Sequence, residues 1–290
     1  MIIDSHYHLE TRIESVKDLL AGMDRNGIQR TALIPTMVEP FHMGRTAGEA
    51  GELMRKLLLS RMNFAGRFFY RTTVDPRGNF VLLTKKYKIY DSPDNGEVAL
   101  TVEKYPERFV AWVFVNPAVH DAVAEAECWM ERPGAIGVKA HPFWHRYPVT
   151  RLEPVADLCN QKGWPILIHL GGDKRSGDYR RLPEQFPKLK IVYAHAGVPF
   201  YKELWDYIKT KKNVYVDISS PYLNEATARM TVKEVGAHKC LFGSDGPYGF
   251  VDDRGKYDHS VIKGWIERLP ITDVEKEKIL GANFMEIARK

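Results

Sequence analysis

Short runs of apolar, often β-branched residues alternate with amphipathic stretches of helical period through most of the chain. Eight runs read as strands, at 2–6, 31–35, 109–116, 135–141, 165–170, 191–195, 214–219 and 240–244. Helical patterns separate them at 14–26, 119–131, 152–162, 179–186, 201–210, 225–235 and 258–268. A last helix, 274–288, is opened by Thr272 and Glu275 at capping-box spacing. Eight strands alternating with helices in 290 residues predict an α/β fold, a single (β/α)8 TIM barrel over 1–290. A doubly wound sheet competes with it, but no glycine-rich phosphate loop follows the first strand.

One interval breaks the rhythm. Strand two ends near Pro35 and the next regular helix begins near Gly96, whereas connections usually take about 2 to 6 residues. Residues 41–92 therefore read as an insertion. Within it Met54, Leu57, Leu58 and Met62 recur at helical spacing, with Arg55, Lys56 and Arg61 on other faces. Leaving from the C-terminal end of a strand, the segment is expected over the barrel mouth. It serves there as a lid, or as an interface whose apolar side packs on the barrel or on a second copy in a homodimer.

Charge singles out the same interval. From Phe41 to Asp91 ten Lys/Arg face four Asp/Glu, a local +6 that leaves −1 for the rest of a chain whose total is +5. Bases near the mouth suit a small anionic substrate, such as a carboxylated ring, with Arg45 and Arg71 as the candidate contacts. The same bases also fit a solvated outer face. Near-balance elsewhere argues against nucleic acid as a partner. No apolar run approaches the roughly 18 residues of a membrane span, and the start has no signal-peptide pattern, so a cytoplasmic protein without a membrane partner is expected. Cys128, Cys159 and Cys240 have no paired spacing, which argues for a reducing compartment and for three small buried hydrophobes.

A barrel carries its chemistry where the strands end. The first strand ends Asp4-Ser5-His6-Tyr7-His8, and side chains two apart on a strand share a side, so His6 and His8 present two imidazoles together. Apolar runs then stop at His169, at His195 and, after Phe242-Gly243-Ser244, at Asp245. Any one of these is an ordinary core or surface residue when taken alone. Together they place histidines and a carboxylate at one end of the barrel, a set that packing does not require. His42, His145 and His259 fall in loops near strand ends, where surface histidines are common. Phe143 and Trp144 would make an apolar wall or plain packing.

These motifs resemble the amidohydrolase superfamily, in particular its amidohydrolase 2 branch with the aminocarboxymuconate-semialdehyde decarboxylase-like enzymes. Segments 104–110, 137–142, 213–217 and 279–283 add to the likeness, which spans nearly all of the chain except the basic insertion. The resemblance implies His6, His8, His169 and Asp245 as ligands of one divalent metal, with His195 as an acid/base or as a ligand of a second ion. Lys139 has two readings: a carboxylated lysine bridging two ions, or a lysine at the substrate or barrel mouth. His141 shares its face and is a candidate substrate contact. Asp4 is expected to orient a ligand histidine through its second nitrogen. Zinc is the default ion, with manganese the alternative, and one ion is expected where two are allowed. Such an ion acidifies water to a pKa of about 7, and Asp245 would take the proton, which is hydrolysis. Non-oxidative decarboxylation of an aromatic or enol acid, with Asp245 or His195 protonating carbon, uses the same ligands. A barrel that holds metal without catalysis is the third possibility.

Overall fold

The computed structural model of the chain describes residues 1–288. In chain order the elements are β1 (Ile3–Leu9), α1 (Val16–Arg25), β2 (Arg30–Pro35), α2 (Arg45–Leu59), α3 (Asn63–Thr72), β3 (Asn79–Leu82), β4 (Lys85–Lys88), α4 (Asn95–Lys104) and β5 (Phe109–Val115). They continue with α5 (Ala122–Met130), β6 (Ala135–Ala140), α6 (Glu153–Lys162), β7 (Ile166–Ile168), α7 (Arg181–Gln185), β8 (Ile191–Tyr193), α8 (Tyr201–Lys209), β9 (Val214–Ile218), α9 (Glu225–Val235) and β10 (Cys240–Phe242). Eight strands form one parallel sheet in the order β1-β2-β5-β6-β7-β8-β9-β10. Backbone bonds from His8 N to Gly246 O and from Asp245 N to His6 O, both 2.7 Å, bring its two ends together. The (β/α)8 barrel read from the alternation is the fold, and each of the eight expected strands is present.

The strands are near-continuous apolar runs because both faces are covered, by the barrel interior inside and by helices outside. β1 runs three residues further than its apolar pattern indicates, so His6 and His8 both lie within it. Past β10 the chain closes with α10 (Ser260–Glu267), α11 (Asp273–Glu277), a π-helical turn (Lys278–Ala282) and α12 (Asn283–Ile287), where a single helix 274–288 was expected. The Thr272–Glu275 capping box opens α11 as read. Cys159 and Cys240 are buried, but Cys128 is exposed on α5, contrary to its expected burial.

The insertion holds more structure than one helix. α2 ends at Leu59, and Met62, expected on its apolar stripe, instead precedes α3 and is 53% exposed. Arg55 turns inward, donating to the Tyr222 carbonyl at 3.2 Å. α2 and α3 pack closely at Gly66, where a Cβ would stand 2.6 Å from Leu58 N. The antiparallel hairpin β3–β4 completes the segment. Among the described residues no helix is long and apolar enough to cross a membrane.

Candidate active site

Local backbone geometry sets the site. His169 lies one residue past β7, His195 two past β8 and Asp245 three past β10. His195 and Asp245 adopt left-handed φ values of 53° and 56°, a conformation uncommon for residues with a Cβ and often found at functional positions. Gly243 lets the last of these loops cross β1, since a Cβ there would sit 2.9 Å from His6 Cβ.

Each imidazole is anchored by one nitrogen. His6 Nδ1 donates to Asp217 Oδ2 at 2.8 Å, and His8 Nδ1 faces the Pro35 carbonyl at 3.4 Å. Ser219 Oγ gives its proton to Asp217 Oδ1, so its oxygen accepts from His195 Nδ1 at 2.7 Å. Tyr70 Oη donates to the Leu170 carbonyl at 2.9 Å, so it accepts from His169 Nε2 at 2.7 Å. These chains of bonds assign the tautomers.

Four lone pairs remain, on His6 Nε2, His8 Nε2, His169 Nδ1 and His195 Nε2. Those of His6 and His8 lie 3.1 and 3.2 Å from Asp245 Oδ1. Those of His169 and His195 face each other at 3.1 Å. His6 Nε2 is buried and makes no hydrogen bond. Lone pairs this close to one another and to a carboxylate repel, and an unsatisfied buried nitrogen costs about 1 to 3 kcal/mol. A cation among them attracts every one of these donors and offsets their mutual repulsion. His6, His195 and Asp245 offer ligand atoms within 4.8 Å of one another, and His8 and His169 flank that trio through Asp245 and His195. The donor set thus fits a divalent metal, which needs neutral imidazoles and an ionised carboxylate.

The electrostatics agree at every one of these imidazoles except His6, whose paired carboxylates favour a proton in the absence of a metal. Burial lowers His8, takes His195 down to about 4, and holds His141 and His169 well below the usual histidine range. Burial and Lys139 lower His6, but Asp217 and Asp245 outweigh them and its pKa is raised. Burial by itself would raise Asp245, yet His195 and His6 prevail and keep it well below the ordinary carboxylate range. Burial lowers Lys139 to about 8 against the pull of Asp217 and Asp245.

Two second-layer partners differ from expectation. Asp4 does not orient an imidazole; its Oδ1 accepts from His6 N at 3.1 Å and Ser244 N at 2.9 Å, clamping β1 to the Asp245 loop. Asp217, near the end of β9, anchors His6, takes the Ser219 proton and receives His195 N at 2.8 Å. An acid inside the apolar run of residues 214–218 was the signal for it, because a buried charge needs partners.

His8, Lys139, His141, His169, His195 and Asp245 line one cleft of about 1100 Å³, counted to its open mouth. His141 stacks on His169 and Trp144, with ring centroids 4.1 and 4.5 Å apart. The insertion supplies much of the remaining wall through Phe41, Met43, Ala47, Met54, Phe69, Phe80 and Leu82. Most of its bases turn away, the buried Arg55 excepted. Arg45, expected at the substrate, is 92% exposed and paired with Glu49, and Arg71 lines a separate cleft with Arg146 and Arg175. The physical reason is amphipathicity: α2 and α3 bury their apolar faces toward the barrel and leave most of their charges in water. His42 is exposed, His145 is held by backbone carbonyls of Tyr90 and His141, and His259 pairs with the buried Glu14.

Comparison with known structures matches this architecture. An uncharacterised TIM-barrel protein from Bordetella bronchiseptica shares 17% identity over 99% of this chain and 97% of its own, with a TM-score of 0.65. The 2,6-dihydroxybenzoate decarboxylase from Rhizobium shares 15% over 99% and 98%, with a TM-score of 0.59. The 4-oxalomesaconate hydratase from Rhodopseudomonas palustris shares 17% over 99% and 95%, with a TM-score of 0.64. At such identities the likeness concerns the fold. No curated protein matches the sequence significantly. A family model described as amidohydrolase matches residues 87–284, a stretch that holds His169, His195 and Asp245 and about two thirds of the chain, so this chain is an enzyme of the amidohydrolase family.

Proposed function

We propose that the protein is a metal-dependent hydrolase that cleaves an ester, lactone or amide of a small, largely apolar molecule. The observation that carries the reading is the buried, unpartnered His6 Nε2 among three further imidazole lone pairs and Asp245. His6, His8, His169 and Asp245 would hold the ion, zinc by its preference for imidazole and carboxylate donors. When bound, it would polarise a carbonyl and acidify water. Asp245, kept ionised, would serve as the base for a water proton and as the acid toward the leaving group. His195, neutral and held by Ser219, is the second candidate for proton transfer. His141 and the apolar wall receive the substrate. Lys139, lowered to about 8, has a neutral fraction that can take up carbon dioxide with release of a proton; the resulting carbamate would supply carboxylate oxygens for a second ion.

One observation favours decarboxylation as a second reading. The apolar wall of the insertion would strip water from a carboxylate placed at the histidines, which favours its loss as neutral carbon dioxide. The test is metal analysis of the purified protein, followed by assays of zinc- and manganese-loaded enzyme on aryl esters, lactones, amides and hydroxyaryl acids. Metal-dependent cleavage without carbon dioxide release supports hydrolysis, and release of carbon dioxide supports the second reading. Absence of bound metal, or full activity in Asp245→Asn, overturns both.

A further inference from the structure

We infer that Tyr70, carried by the insertion, is a positioning residue for the metal site, setting the tautomer of His169 and coupling the seating of α3 to metal affinity. The inference rests on the metal reading above. Tyr70 has one proton and gives it to the Leu170 carbonyl at 2.9 Å. Its oxygen, 2.7 Å from His169 Nε2, therefore accepts, and His169 must carry its proton on Nε2. Only that tautomer leaves Nδ1 with a lone pair facing the cluster, 3.1 Å from His195 Nε2. The imidazole stacks on His141 at 4.1 Å, so the stack fixes its plane and Tyr70 fixes which nitrogen points inward.

Tyr70 is not part of the barrel. It lies on α3, is fully buried, and stacks on Phe143 with centroids 4.3 Å apart. On the same face of α3, one and two turns before Tyr70, Arg67 and Asn63 tie the helix to α8, each 3.1 Å from Glu203. If α3 lifts, His169 loses its acceptor and both tautomers become available. By linkage, whatever strengthens metal binding when α3 is seated must equally strengthen seating when metal is bound.

The test uses the full chain and Tyr70→Phe, which keeps the ring and its stacking. Nitrogen-15 NMR of metal-free protein, with His169 assigned through His169→Asn, reads the tautomer. Zinc chloride titrations against a chromophoric chelator read affinity, and limited proteolysis reads the seating of residues 45–72. The expected results are a proton on Nε2 in the wild-type protein and a mixed tautomer in Tyr70→Phe. Zinc affinity should fall about 10- to 100-fold, as for loss of an outer partner of a metal-bound histidine. Zinc should protect residues 45–72 from protease in the wild type and far less in the variant. A proton on Nδ1 in the wild type, or zinc affinities within twofold, would overturn the inference. If the wild type binds no zinc, the metal reading fails, and an unchanged tautomer in Tyr70→Phe overturns the role of Tyr70 independently.

Discussion

The floor of the cleft and its roof are built on opposite principles. Polar groups from several strands make up the floor, and their bonds cross the barrel: Asp217 ties His6 to His195 and Ser219, and Asp4 ties β1 to the Asp245 loop. Apolar side chains of one inserted segment make up most of the roof, and most of its charges face water. A polar network is directional, so each of its members is identifiable by what it touches. An apolar wall is fixed by shape and area and tolerates exchange. On the proposed reading, chemistry belongs to the floor and selection by size and polarity to the roof. Tyr70 is where the two meet.

Four perturbations test this contrast, from the largest expected effect to the smallest. Asp245→Asn removes the shared carboxylate of the floor, and kcat should fall about 10²- to 10⁴-fold with circular dichroism unchanged. Asp217→Asn leaves one oxygen where His6, Ser219 and His195 N compete for two; metal affinity by chelator competition should drop about 10- to 100-fold. An unaltered affinity would mean that the floor does not act as a network. Gly66→Val drives a side chain into the Leu58 backbone and should destabilise the α2–α3 pair by about 1 to 3 kcal/mol. Proteolysis should then speed within residues 45–72 while the barrel amides keep their hydrogen-exchange protection. Arg45→Ala alters only a solvated pair, so stability should stay within about 0.5 kcal/mol and KM within twofold. A large rise in KM would return the insertion's charges to substrate recognition.

The barrel was legible because its strands are buried on both faces and its helices on one, so each element carries its own local period. The strand-end histidines stood out because packing has no need of them. Asp217 was missed although the run that contains it was visible; a single acid in a strand does not say which imidazoles it will meet. For the insertion, composition left two readings open. Ten bases in the interval fit either contacts for an anion or a solvated outer face, because a base count carries no direction; Arg45 and Arg71 lie outside the cleft. The hairpin β3–β4 and α3 have short, mixed patterns that only packing on the barrel resolves.

The sequence by itself determined the barrel, the end at which its polar residues gather, and a site built on His6, His8, His169, His195 and Asp245, because apolar period and strand-end position are local properties. Tertiary structure alone decided how those groups face one another. Asp217 takes the anchoring role expected of Asp4, Asp245 stands between His6 and His8, and Tyr70 crosses from the insertion to His169. Those relations join residues as far apart in the chain as His6 and Asp245, and a hydrogen bond depends on distance and angle in space, which no local pattern encodes.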